Sequence, residues 1–337
     1  MKKLTVLSIV LFSVCLAYSQ SAPKAVYKVI NKISLEGDGG WDYLFSDDQA
    51  NRLYVSHGNQ VQVIDEVKKE VIGKITGLKG VHGIAIAPAL NKGFISCGKD
   101  SSVTVFDTNT FAVLKRVVVT GANPDAILFD AFSQKVFVFN ARSNNVTVLD
   151  AVSNNIVATI ALSSNPEFAV TNGKGLIYVN LESASSIAVL NALTYKVEKV
   201  WSIAPGEEPS GLAFDNQTQR LFSVCANKMM IVVDAQTGKI IAKLPTGSGT
   251  DGVAFDQALK CVYSSNGEGT MTVVKETADG KCSVLENVTT QKGARTITVN
   301  KLTHHIYLPT ASYEAAAAGQ RAKAVPGSFV ILEIAAQ

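Results

Sequence analysis

Short apolar runs, each closed by a cluster of Asp, Asn, Ser or Gly, follow one another from Trp41 to the end of the chain. Between Pro124 and Asn165 the order is plain. Asp125-Ala-Ile-Leu-Phe129 is apolar and Asp130-Ala-Phe-Ser-Gln134 turns; Lys135-Val-Phe-Val-Phe139 is apolar and Asn140-Ala-Arg-Ser-Asn-Asn145 breaks it. Val146-Thr-Val-Leu149 alternates, Asp150-Ala-Val-Ser-Asn-Asn155 turns, and Ile156-Val-Ala-Thr-Ile-Ala-Leu162 ends the unit. β-Branched and aromatic runs between Asx, Ser and Gly turns predict four antiparallel strands joined as hairpins. No window sustains a helical period over ten residues.

The unit then recurs. Its third run reappears as Val61-Gln-Val-Ile-Asp65, Val103-Thr-Val-Phe-Asp107, Val146-Thr-Val-Leu-Asp150, Ile187-Ala-Val-Leu-Asn191, Ile231-Val-Val-Asp234, Met271-Thr-Val-Val-Lys275 and Phe329-Val-Ile-Leu-Glu333, with ends 42, 43, 41, 43, 41 and 58 residues apart. Four strands per period of this length predict an all-β, seven-bladed β-propeller with four antiparallel strands per blade. A parallel solenoid would need fewer strands and a shorter period. The last unit stops at its third strand, Phe329 to Gln337, while Tyr27-Lys-Val-Ile-Asn-Lys-Ile-Ser-Leu35 resembles the fourth strands Glu70 to Ile75 and Lys239 to Leu244. The N-terminal strand is therefore expected to complete blade seven, which removes two aggregation-prone sheet edges.

Ahead of that strand, Met1-Lys-Lys3, the apolar run Leu4 to Ala17 and the small-residue pattern Ala17-Tyr-Ser19 predict a secretory signal peptide. It is too short to anchor in a membrane, and no later run reaches spanning length. Residues 1–19 are read as this leader, cut near Ser19–Gln20, and 20–337 as one propeller domain that is exported, periplasmic or extracellular. Loss of Lys2 and Lys3 takes the formal charge from +3 to +1. A near-neutral surface argues against nucleic acid or a membrane surface as partner.

Export permits disulfides, but Cys97 and Cys225 fall on distant blades, and Cys261 and Cys282 open strands separated by a third. That separation is roughly 9–10 Å, beyond the ~7 Å that a disulfide spans. Four free thiols are expected. No C-x-x-C spacing suggests zinc or covalent haem.

Leu176-Ile-Tyr-Val-Asn180, Asn51-Arg-Leu-Tyr-Val-Ser56 and Lys260-Cys-Val-Tyr-Ser264 resemble the second-strand core of the YVTN-repeat, YncE-like propellers. Asn123-Pro-Asp-Ala-Ile127, Glu208-Pro-Ser-Gly-Leu-Ala-Phe-Asp215 and Asp234-Ala-Gln-Thr-Gly-Lys239 resemble that family's blade openings and turns. The resemblance covers the whole chain after the leader, although Tyr-Val-Thr-Asn is intact in no repeat. It implies an exported seven-bladed ring that binds, and it names no ligand because its residues pack and turn.

Two motifs dissolve in context. Gly247-Ser-Gly-Thr-Asp-Gly252 spells a dinucleotide fingerprint, but a strand rather than a helix follows it. His304-His305 occupies a turn and is read as solvated.

The first strand of each blade lines the channel. Aligned, the seven strand openings are Asp42, His82, Asp125, Glu167, Ser210, Asp251 and Arg295, all polar, with mostly small or apolar residues after them. Four carboxylates against one arginine make an acidic mouth, although a wet channel end could hold polar residues for solvation alone. Ring order predicts Arg295 between Asp251 and Asp42, which leaves Asp125 and Glu167 as candidate ligands for a divalent cation, calcium before zinc. His57, Arg142 and Glu182 lie on second-to-third-strand loops of the same end, with the insertion from Ser312 to Val325. A short helical lid and a loop are both open readings of that insertion.

The expected function is an exported binding module that takes a small cationic ligand, metal ion or peptide at the mouth. No catalytic residue is assigned and no cofactor is predicted beyond the possible divalent cation. Two alternatives stand beside it: a lactonase-like hydrolase or lyase by fold analogy alone, and a scaffolding ring contacting envelope proteins. For an enzyme, His82, His57 and Arg295 are the available set, with no G-x-S-x-G or H-E-x-x-H to support them.

Overall fold

The computed structural model describes residues 27–277, 280–315 and 322–337; the leader segment 1–19 and residues 316–321 of the insertion lie outside them. Seven four-stranded antiparallel sheets follow one another, and the inner strand of each contacts the next until the seventh meets the first. Blade three runs Pro124–Asp130, Lys135–Asn140, Asn145–Asp150 and Ile156–Ala161, each strand paired with the one before it.

A local rule repeats at the turn into the outer strand. In Asp65, Asp107, Asp150, Asn191 and Asp234 the side-chain oxygen accepts N–H bonds from residues two and three positions on. The residue four positions on takes a left-handed φ of 58° to 75°. Its N–H returns to the first residue's carbonyl at 2.8 to 3.0 Å. Short acceptors that mimic a backbone turn make these positions Asx.

The alternation of the strands is consumed between blades. Seven apolar clusters fill the seven inter-blade spaces, among them Phe137, Phe139 and Val148 against Ile177, Val179 and Leu190 between blades three and four. Cys97, Cys225 and Cys261 are buried in such clusters, and all four cysteines among the described residues are free.

Blade seven is the irregular one. Its inner strand is only Thr298–Val299, followed by Ile306–Thr310, Val330–Ala336 and, as the outer strand, Tyr27–Ser34. Tyr27 pairs with Ala336 and Ser34 with Val330, so the N-terminal strand closes the ring. Ile33 and Leu35 are buried beside Leu53 and Val55 of blade one.

The described stems of the insertion pair with each other instead of forming a helix. Tyr313 bridges Ala324, and the Glu314 N–H donates to the Lys323 carbonyl at 2.9 Å. Tyr313 packs on Trp41, with ring centroids 6.2 Å apart.

Candidate functional site at the channel mouth

Each mouth residue from blade one to blade six is the second residue of its inner strand, and each lies in a register break. In blade one, Trp41 pairs with His57 and Leu44 with Val55, so Asp42 and Tyr43 stand opposite Ser56 alone. Such a bulge bends the strand and re-aims its side chains. The loosened backbone is held by buried polar residues of the second strands. Ser56 Oγ accepts from the Asp42 N–H and donates to the Tyr43 carbonyl. Ser96 donates to the Asp125 carbonyl, Asn180 to the Ser210 and Gly211 carbonyls, and Ser265 to the Arg295 carbonyl, each reaching the next blade. Thr296 donates to the Asp42 carbonyl and ties blade seven to blade one. These Ser and Asn residues read as packing in the sequence; a polar residue midway along an apolar strand was the available signal.

Small residues make the blades' close approach feasible. A Cβ on Gly211 would lie 2.8 Å from the Val253 nitrogen of the next blade.

The charges are arranged unevenly. Arg295 bonds Asp251 and lies 3.8 Å from an Asp42 oxygen, in the place the ring order predicts. His82 Nδ1 hydrogen-bonds Asp42 Oδ2 at 2.7 Å and lies 3.6 Å from Asp125 Oδ1. Burial opposes charge on His82, but the bond to Asp42 and the field of Asp125 outweigh it and raise its pKa. His82 therefore leans toward Asp42, and Arg295 toward Asp251 with Asp42 beside it.

Asp125 and Glu167 receive little of that charge. Asp125 Oδ1 is buried without a hydrogen-bond donor, and Glu167 makes no hydrogen bond or ion pair among the described residues. Burial, then the negative charge of Asp42, pushes Asp125 up to about 7. Burial, then Asp125 and Glu182, pushes Glu167 up to about 8.

Glu182, held by Asn165 at 2.6 Å, thus joins the site by its field. So does Tyr43, whose buried hydroxyl is raised well above its ordinary pKa by burial and then by Glu167, Asp125 and Asp42. Neither stood among the seven openings. Tyr43 and Phe168 were visible as the two aromatics among the seven residues that follow those openings.

Three expected residues stand elsewhere or do other work. His57 is 1 % exposed, stacked 4.0 Å from the Phe329 ring under the Gly37–Gly39 linker, and burial lowers its pKa. The chain entering from the closing strand covers it, so it does not line the mouth. Arg142 is exposed on its turn and joins no ion pair among the described residues. Ser210 is buried and donates to the Thr250 carbonyl, tying blade five to blade six.

The metal-ligating geometry also differs from expectation. One nitrogen and two oxygens of Asp42, His82 and Asp125 lie within 4.8 Å of one another, and Glu167 is outside that group. A histidine among the donors shifts preference from calcium toward a borderline transition ion. The two other flagged motifs are structural: Gly247–Gly252 leads into the strand Thr250–Asp256. His304 and His305 are not merely solvated, since each bonds a buried carboxylate, Asp256 at 2.6 Å and Glu333 at 2.7 Å.

No family model matches the chain, and no curated protein matches it. Solved structures do. Hydrazine synthase of Kuenenia stuttgartiensis is similar with a TM-score of 0.72 at 16 % identity, over 81 % of this chain and 94 % of that one. U3-55K is similar at 0.77 and 9 % identity, over 90 % and 99 %. The WD40 repeats of RRP9 are similar at 0.78 and 8 % identity, over 92 % of this chain and 100 % of that one. At such identities the likeness is one of fold: this chain is a seven-bladed β-propeller.

Proposed function

We propose that this protein is a non-enzymatic binding module that holds a cationic group at its channel mouth. The observation that carries the reading is the Asp125–Glu167 pair: neighbouring carboxylates, pushed up to about 7 and about 8, with one buried oxygen undonated. A cation placed between them would supply the missing charge and let both ionise. A primary amine, a guanidinium or a basic side chain of a peptide fits that need. A lactonase-like reading would start from the His82–Asp42 pair, yet Arg295, its electrophile, is engaged by Asp251 and Asp42.

A second reading is a transition-metal ion on Asp42, His82 and Asp125, favoured by their mutual reach. The leader-like residues 1–19 support an exported ring with access to envelope proteins, and the second-strand motifs support a place among the YVTN-repeat propellers.

Calorimetric titration decides between them. Cadaverine and arginine methyl ester serve as organic cations, and calcium, manganese and zinc as metals. Binding is expected to tighten as pH rises from 6 to 8.5, because ionising Asp125 and Glu167 frees the site, and to vanish in Asp125→Asn/Glu167→Gln. Equal heats for the two proteins would leave the acidic mouth as channel solvation. Loss of metal binding in His82→Ala, with organic cations unbound by either protein, would select the metal.

A further inference from the structure

The channel is not one continuous space. Tyr43 of blade one and Phe168 of blade four project from opposite sides of the ring, and their centroids lie 5.4 Å apart. Beneath them is a cavity of about 630 Å³ lined by the inner strands of all seven blades. None of the seven mouth residues lines it. Apolar groups make up the larger part of its wall, among them Phe45, Ile86, Leu128, Val170, Phe214 and Val253. Polar groups gather at its far end, where the first-to-second-strand turns bring Asp48, Asn216 and Lys301 to the rim.

This chamber has the opposite chemistry to the mouth. Its volume falls in the range of small-molecule sites, and its make-up, apolar beneath the aromatic pair and polar toward the other end, suits an amphipathic shape with a larger apolar part. Water against such a wall finds few partners, so an apolar body that displaces it gains. The rim carries both signs of charge, Asp47 and Asp48 against Lys301.

We propose that the chamber is a second binding site, entered from the face opposite the mouth, that takes an uncharged and mainly apolar small molecule. The Tyr43–Phe168 contact is its ceiling and keeps such a ligand from the carboxylates. The site is independent of whatever occupies the mouth.

N-phenyl-1-naphthylamine, a neutral dye whose emission rises in apolar surroundings, tests it on the full chain. Saturable binding of one molecule per chain is expected, with Kd on the order of 10 μM for a ligand of that size. Val170→Trp, which adds bulk to the chamber wall, is expected to weaken binding about tenfold or more in a protein that still unfolds cooperatively, if at a lower temperature. Should that variant fail to fold, a crystal of the wild type soaked with a brominated analogue reads the site directly, with bromine expected among Phe45, Leu128 and Phe214. Emission that never saturates, undiminished binding in folded Val170→Trp, or bromine absent from the chamber overturns the proposal.

Discussion

Two pairs of carboxylates, one at each end of this ring, behave in opposite ways: Asp215 and Glu333 against Asp125 and Glu167. At the end away from the mouth, Asp215 is fully buried and its oxygens accept from the Gln217 N–H and the Thr218 hydroxyl. Burial would raise its pKa, but those bonds outweigh it and the pKa falls. Glu333 is as deeply buried, surrounded by Lys69, His305, Tyr307 and Asn31, and its pKa is also lowered. At the mouth, the Asp125 side chain keeps 15 % of its surface exposed but lies deep among the channel walls, and burial and then the charge of Asp42 push it up to about 7. Burial raises all four groups; hydrogen-bond donors and cations offset it at Asp215 and Glu333, and neighbouring carboxylates add to it at Asp125 and Glu167. Asp215 and Glu333 are completed from within the chain, whereas Glu66 and Glu276 at the same end are raised by burial in spite of their partners. The mouth leaves two carboxylates to be completed from outside.

Four experiments break or sharpen this contrast. The largest effect is expected from deleting residues 27–35, which uncovers the third strand of blade seven and empties the places of Tyr27, Ile33 and Leu35. Loss of three buried side chains at about 1.5–3 kcal/mol each, with their ladder, should prevent a cooperative thermal transition at ambient temperature. A wild-type unfolding temperature would show that the ring closes without this strand.

Next comes Glu333→Ala at the end away from the mouth. It strands Lys69 and His305 against a buried seam, and a cost of about 3–5 kcal/mol is expected in urea unfolding at pH 7. A cost under about 1 kcal/mol would mean that the seam re-solvates.

The mouth should respond in the other direction. With folded pKa values near 7 and 8 against ordinary carboxyl values near 4, the native state holds more protons than the unfolded state between about pH 4 and 8. Stability from these groups is thus lost as pH rises through that window. Asp125→Asn/Glu167→Gln should match wild type at pH 4 and exceed it at pH 8.5 by on the order of 2 kcal/mol, the field of channel water keeping the gain below the full shifts. A variant less stable than wild type at pH 8.5 would contradict the unsatisfied mouth.

The smallest effect is expected at the turn residue Asp150, held down to about 2 chiefly by the Ser153 N–H. Its contribution is present above pH 4 and lost as pH falls toward 2, the reverse of the mouth. Asp150→Ala should cost about 1 kcal/mol at pH 7 and nothing further below pH 2. A loss that grew toward alkaline pH would assign the turn to some other interaction.

How far the chain could be read follows from how local each cause is. The seven units, their four strands and the Asx turns at Asp65, Asp107 and Asp150 were legible because alternation and side-chain-to-backbone bonds act within a few residues. The partner of the closing strand was legible because one blade lacked its fourth run. His57 was misplaced because its cover, Phe329 and the Gly37–Gly39 linker, comes from the two ends of the chain. The pairing of Tyr313 with Ala324 at the stems of the insertion was not legible, because it joins residues across the loop, and the alanine run between them lies outside the described residues.

The sequence by itself determined the ring, its closure and the identity of the seven residues around the mouth, since repetition puts equivalent positions at equivalent radii. Only the tertiary structure decided what those residues do to one another. Bulges turn Asp42, His82 and Asp125 into one another's reach. The span of the ring brings Tyr43 to Phe168, and the engagement of Arg295 by Asp251 and of His82 by Asp42 leaves Asp125 and Glu167 short of positive charge. Such pairings depend on distances across a closed circle, which no run of neighbouring residues encodes.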